Sequence, residues 1–264
     1  MLLSSKFMKI LFIGDIVAKP GRSAVKEVLP SLKREQNIDF VVANAENLAH
    51  GRGATLETIR EMQNYGVDFF TGGDHLFWHQ DFEESVDTLP VIRPANYPAG
   101  TPGQGYCVVE HKNGKKILII NLIGRTSFGG TQSLSNDPFR TAEEIIGNNK
   151  NVDFTLIDFH AEATSEKSAL GFYLDGKITA LVGTHTHIPT CDNRTLPEGT
   201  MFVSDIGMTG NIDSVLGVKK EIIINLYLKA TNQKFEWEEY GQKAFRSVIL
   251  DTETRTIERF DRNI

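Results

Sequence analysis

A chain of 264 residues, 40 % hydrophobic and 23 % charged, has the composition of a folded globular protein and is long enough to build a large core. Its formal net charge of −6 argues against a general nucleic-acid coat, so no stable nucleic-acid complex is expected. Cys107 and Cys191, the two cysteines, fit no C-x-x-C metal or redox pattern and suit a reducing, cytoplasmic setting.

Residues 1–7 carry too short an apolar stretch for a secretory leader and read as a loose tail; nowhere does a run approach the ~20 apolar residues of a membrane span. An apolar, β-branched run at 9–13 leads to Gly14 and Asp15. A helix follows over 22–35, with Val25, Val28, Leu29 and Leu32 on one stripe. The run 39–43 leads to Glu46 and Asn47, and a helix over 55–65 turns Leu56, Ile59 and Met62 inward. The run 67–71 leads through Gly72 and Gly73 to Asp74 and His75. Further runs at 116–122, 152–159, 178–183 and 201–204 are near-continuous, as in strands covered on both faces. His111 falls in a hairpin turn ahead of the first of these. The Gly-, Ser- and Asn-rich segment 125–138 reads as a loop over a site, and a short helix is expected over 141–148. Residues 219–229 and 243–251 read as antiparallel strands joined by a polar stretch holding Trp237 and Tyr240. Alternating strands and helices followed by strand-rich sequence predict an α/β sandwich of two sheets, in a single domain spanning 1–264.

The most informative motif is His185-Thr186-His187, at the end of the run 178–183. Two imidazoles at i and i+2 of an extended segment point to the same side and can reach one metal centre or two adjacent ones. Asp15, Glu46, Asn47, Asp74, His75 and His160 also follow apolar runs, and in open α/β sheets ligands gather outside the carboxyl ends of the strands. Carboxylates, an amide oxygen and imidazoles suit Mn, Fe, Co or Zn. They are too many for one tetrahedral centre and about right for two ions ~3.5–4 Å apart that share a carboxylate. Such a pair lowers the pKa of a bound water and positions it for attack on phosphorus. Gly14, Gly72, Gly73 and Gly183 are expected to let the backbone turn sharply beside these groups.

The motif order Gly14-Asp15-Ile16, Asn44-Ala45-Glu46-Asn47, Gly72-Gly73-Asp74-His75, the string 159–167 beginning Phe-His-Ala-Glu-Ala, and Gly183-Thr184-His185-Thr186-His187 resembles the calcineurin-like metallophosphoesterase superfamily. More narrowly it resembles the bacterial YmdB-type branch, to which the segments 93–98 and 205–210 are also similar. The likeness covers nearly the whole chain. It implies a four-layer αββα sandwich and phosphodiesterase or phosphatase activity on a small phosphoester, with cyclic nucleotides as a substrate class. It further implies that Asp15, Glu46, Asn47 and His187 hold one ion, and that Glu46 bridges to a second held also by Asp74, His160 and His185. His75 would be the proton donor to the leaving alkoxide. Iron is the metal the resemblance implies, with Mn or Zn as alternatives.

Two departures stand out. Asp74 replaces the asparagine of the family pattern and adds negative charge beside the ions, which is expected to move the alkaline-side onset of activity to higher pH. Phe77-Trp78-His79-Gln80 replaces a Trp-Asp, leaving Asp81 as the nearby carboxylate. Glu162 and Glu166 flank the His160 motif as candidates to orient an imidazole. A regulatory metal- or nucleotide-sensing protein with little turnover is the alternative reading. A homo-oligomer is compatible with the sequence.

Overall fold

The computed structural model describes residues 7–126 and 134–264. The tail expected over the first residues lies outside them except for Phe7, as does the middle of the expected loop 125–138. One sheet has four parallel strands in sequence order, β1 (Lys9–Ile13), β2 (Phe40–Asn44), β3 (Phe69–Thr71) and β4 (Val91–Ile92). The second runs from β5 (Tyr106–Glu110) through β6 (Lys116–Ile123), β7 (Phe154–His160) and β8 (Ala180–Thr184) to β10 (Met201–Val203), with β9 (Arg194–Thr195) at its edge. Strands β6, β7, β8 and β10 are parallel, and β5 pairs with β6 as the hairpin whose turn holds His111. The first sheet is completed by β11 (Gly210–Asn211), β12 (Lys243–Asp251) and β13 (Thr256–Asn263), with β12 antiparallel to β1.

Side-chain alternation along these strands builds three apolar layers and so sets the architecture. Leu11, Ile13, Val41 and Ala43 face outward against Val25, Val28, Leu29 and Leu32 of α1 (Ala18–Glu35) and Ile59 and Met62 of α2 (Leu56–Asn64). Ile10, Phe12, Phe40 and Val42 face the other way and meet Ile117, Ile119, Leu156, Val182 and Val203 of the second sheet. Leu118, Ile120, Ile157 and Leu181 then pack against Ala142 and Ile145 of α4 (Pro138–Asn148) and Leu170 of α5 (Thr164–Tyr173), the short α3 (Asp81–Ser85) having come after β3. The result is the four-layer αββα sandwich. Among the described residues no helix is long and apolar enough to cross a membrane.

One expected element is different in kind. Residues 219–229 form α6 (Lys220–Lys229), not a strand, and the antiparallel partner of β12 is β13. The run Ile222-Ile223-Ile224 has strand-like composition, but Ile223, Leu226 and Tyr227 stand at i, i+3 and i+4 and line one cavity together, which only a helix allows. None of the α6 residues is fully buried. The first helix also begins earlier than expected, at Ala18, because Pro20 lies in its first turn, where a missing N–H breaks no bond.

The glycines beside the candidate ligands do not work by sharp turning. Gly14, Gly72, Gly73 and Gly183 are absent from the positive-φ residues; they matter through the Cβ they lack. A Cβ on Gly14 would lie 1.8 Å from the carbonyl oxygen of Gly207. Gly14→Ala should therefore destabilise the protein by about 1–3 kcal/mol in urea unfolding. A wild-type midpoint would show that the two loops do not need this contact.

Candidate metal centre

The carboxyl ends of both parallel strand sets meet at one rim of the sandwich. Asp15 follows β1, Glu46 and Asn47 follow β2, Asp74 and His75 follow β3, His160 ends β7, and His185 and His187 follow β8. Their donor atoms fall into two groups that share Glu46. Glu46, Asp74, His160 and His185 form one and Asp15, Glu46 and His187 the other, the donor atoms in each lying within 4.8 Å of one another. His160 Nε2 is 3.1 Å from both Glu46 Oε2 and Asp74 Oδ1, and 3.0 Å from His185 Nδ1. His187 Nε2 is 4.0 Å from Asp15 Oδ1 and 3.2 Å from the Asn47 amide nitrogen. As placed, Asn47 presents Nδ2 to the cluster and donates to Glu46 Oε1 at 2.7 Å; a half-turn of the amide would present its oxygen instead. Gly73 admits this crowding, since a Cβ there would sit 2.1 Å from Glu46 Oε2.

The two histidines of the H-x-H motif reach the cluster differently from expectation. Strand β8 stops at Thr184, and both His185 (φ 98°) and His187 (φ 64°) have left-handed backbone conformations. The rings are thus aimed by a strained turn, not by strand pleating. A buried ion pair braces that turn. Lys167 Nζ lies 2.8 Å from Asp205 Oδ2 and donates to the Thr184 carbonyl, also at 2.8 Å. The same Asp205 oxygen accepts from the backbone N–H and hydroxyl of Thr186. Removing one partner of such a pair costs about 3–5 kcal/mol.

The tautomers follow from the outer partners. Thr184 Oγ1 donates its one proton to Asp158 Oδ1 at 2.7 Å, so toward His160 Nδ1, 2.8 Å away, it accepts. Nδ1 of His160 therefore carries the proton and Nε2 offers its lone pair to the cluster. Asp158 is itself fully buried and also accepts from Asn44 and Thr71. Glu162 Oε2, 3.1 Å from His185 Nε2, orients the second imidazole in the same way, leaving Nδ1 toward the cluster. Glu166 instead accepts from the backbone N–H groups of Arg125 and Thr126 and shapes the chain after β6.

The charge balance tests whether a metal fits. Asp15 and Glu46 are buried and the Asp74 side chain is 9 % exposed, so three carboxylates crowd one small volume. Burial pushes the Asp15 carboxyl well above the ordinary range, only partly offset by His160. Glu46 goes the other way: burial opposes its charge, but His160 and His75 hold it well below. Burial likewise opposes charge on His160, yet Glu46, Asp74 and Asp15 raise it well above the usual imidazole value. His185 is pushed down to about 4 by burial and by the charge on His160. The pull of these carboxylates toward positive charge at His160 marks a place where a cation would be stabilised. Asp15 Oδ1 is buried and without a hydrogen-bond partner, an acceptor suited to a metal ion.

His75 sits beside the cluster. Its backbone N–H donates to Glu46 Oε2 at 3.2 Å, and its ring meets Trp78 edge-on at 5.9 Å. Asp81 makes no hydrogen bond or ion pair with it among the described residues; His79 donates from Nε2 to the Arg52 carbonyl. The site opens into a cavity of about 380 Å³ with an apolar far wall that includes Leu216, Ile223, Leu226 and Trp237.

Two facing sheets with helices outside, and a carboxylate–imidazole cluster sharing one glutamate at the strand ends, define a metallophosphoesterase. The model of the YmdB-like protein family matches residues 11–262. The chain is 43 % identical over 251 residues to a 2′,3′-cyclic-nucleotide 2′-phosphodiesterase of Bacillus subtilis (strain 168), covering 94 % of this chain and 93 % of that protein. Its fold is similar to the crystal structure of a hypothetical protein from Thermus thermophilus, with TM-score 0.90 and 37 % identity over 97 % of this chain and 99 % of that one. A phosphatase structure from Mycoplasma pneumoniae is also similar, with TM-score 0.87 and 33 % identity over 98 % and 93 % of the two chains. This chain belongs to the YmdB-like family of phosphoester hydrolases.

The Thr184–Asp158 relay was not singled out in the sequence, although Asp158 precedes His160 by two strand positions and so shares its face. Thr184→Val should weaken divalent-metal binding about 10–100-fold in a chelator competition, with the fold retained. Unchanged affinity would mean the relay does not set the orientation of His160.

Proposed function

We propose that the protein hydrolyses small phosphodiesters with two metal ions held on either side of Glu46. Asp15, Glu46, Asn47 and His187 would hold one, and Glu46, Asp74, His160 and His185 the other. The sharing of Glu46 between two donor groups carries this reading. Iron is the metal the family resemblance favours, with Mn or Zn as alternatives; the mixed oxygen and nitrogen donors suit any of these borderline ions. When bound, such a pair acidifies water and neutralises charge on the phosphoryl oxygens.

The chain's own residues supply the rest. His75 acts as the general acid. Burial would lower its pKa, but the Glu46 and Asp74 carboxylates outweigh burial and raise it, which favours the protonated ring that a general acid needs. Its Nδ1 lies 3.5 Å from Glu46 Oε1 and from Asp74 Oδ2, which leaves Nε2 for the departing oxygen. The apolar wall opposite the charged cluster offers a nucleoside a surface to pack on. Together with the activity of the B. subtilis relative, this favours 2′,3′-cyclic nucleotides as substrates. A cavity of this size also suits a small ester better than a polymer. We read the protein as one domain working in the cytoplasm.

Purified protein loaded with Mn or Fe should cleave 2′,3′-cyclic nucleotides faster than 3′,5′-cyclic nucleotides or a chromogenic monoester. Absence of turnover on the whole panel would reject the hydrolase reading. His75→Gln should lower kcat by about 10²–10⁴-fold while bound metal stays constant; a variant that loses its metal would show that the histidine is a ligand instead.

A further inference from the structure

We infer that Arg52 is a phosphate-binding residue of this site, its guanidinium held in readiness for a phosphoryl oxygen of the substrate. The inference rests on the hydrolase reading for its ligand but on separate observations for its residue.

Arg52 lines the cavity that also exposes Glu46, Asn47, His75, His185 and His187. It sits at the tip of a tight loop that begins at Glu46. Gly51 and Gly53 on either side of it have φ of 78° and 77°. The Arg52 N–H donates to the Ala49 carbonyl at 3.1 Å, and Ala49 in turn donates to the Gly53 carbonyl at 2.8 Å. The Gly53 N–H donates to the Glu46 carbonyl at 2.5 Å, tying the loop to the shared glutamate itself. His79 holds the outer side through its bond to the Arg52 carbonyl at 3.0 Å. A Cβ on Gly51 would lie 2.1 Å from the Trp237 ring, so the loop is wedged against the cavity wall.

The side chain is fixed as firmly as the loop. Its guanidinium carbon stands 4.8 Å from the centre of the Trp78 ring and 5.3 Å from that of Phe235. Stacking on aromatic faces orients the planar group but leaves its in-plane N–H donors unused. Among the described residues no carboxylate pairs with it and no acceptor takes a hydrogen bond from it, whereas Arg22 pairs with Glu61 and Arg259 with Asp261. An oriented arginine with unpaired in-plane donors, lining the same cavity as a centre built of carboxylates, is suited to an anion that comes from outside. A fork of N–H groups matches two phosphoryl oxygens.

Orientation by Trp78 and Phe235 also gives a purpose to the departure at 77–80. Within that segment Trp78 puts its ring under the guanidinium.

The test compares wild type, Arg52→Met and Arg52→Lys, each loaded with Mn. Inorganic phosphate binding is measured by calorimetry, and kcat and KM are measured on a chromogenic phosphodiester. The methionine variant should bind phosphate about 10–100-fold more weakly and lose a similar factor in kcat/KM, with metal content unchanged. Lysine should recover part of both. An active wild type whose phosphate affinity and kcat/KM are unaltered by methionine would overturn the assignment and leave the hydrolase reading intact. A wild type that turns over nothing yet binds phosphate through Arg52 would reject the hydrolase reading and uphold the assignment. A wild type that does neither would overturn both.

Discussion

Three carboxylates held together away from water set the terms for this molecule. Asp15, Glu46 and Asp74 come from three successive parallel strands, and His75, on the first sheet's own side, offsets their charge only in part. Compensation comes from the second sheet, which supplies His160 and the His185–His187 turn across the sandwich interface. The apolar middle layer therefore does more than bury surface: it holds two rims of opposite need in register. A fold that splayed the sheets would leave buried carboxylates unpartnered, at a cost of several kcal/mol each.

Positioning is handled by groups one step behind the cluster. Asp158 and Thr184 settle the proton of His160, Glu162 settles that of His185, and the Lys167–Asp205 pair holds the turn that carries His185 and His187. Thr184, Glu162, Lys167 and Asp205 each come from a different segment than the ring they steady, whereas Asp158 shares β7 with His160. This division explains why the long string 159–167 is so specific: it delivers a histidine of the cluster, an orienting carboxylate and a buried lysine within nine positions.

Much of this was legible in the sequence, and for identifiable reasons. Strands buried on both faces write themselves as unbroken apolar runs, so β1, β2, β3, β6, β7, β8 and β10 could be found, and with them the polar residues at their ends. The layer order followed from the family resemblance more than from pattern. Legibility failed where tertiary context overrides composition. Three consecutive isoleucines read as a strand, yet α6 uses the spacing of Ile223, Leu226 and Tyr227 to face the cavity. The H-x-H pair looked like pleat geometry, but left-handed φ values at both histidines cannot be inferred from spacing. Lys167 and Asp205 lie 38 positions apart, and a charged pair that far apart carries no local signal of burial. Arg52 was not singled out in the sequence, because the two aromatic rings against it come together only in the fold.

Anomalous diffraction from crystals of the metal-loaded protein addresses the central claim most directly. Two ions per chain, about 3.5–4 Å apart and both touching Glu46, are predicted. A single ion, or ions seated away from Glu46, would contradict the account.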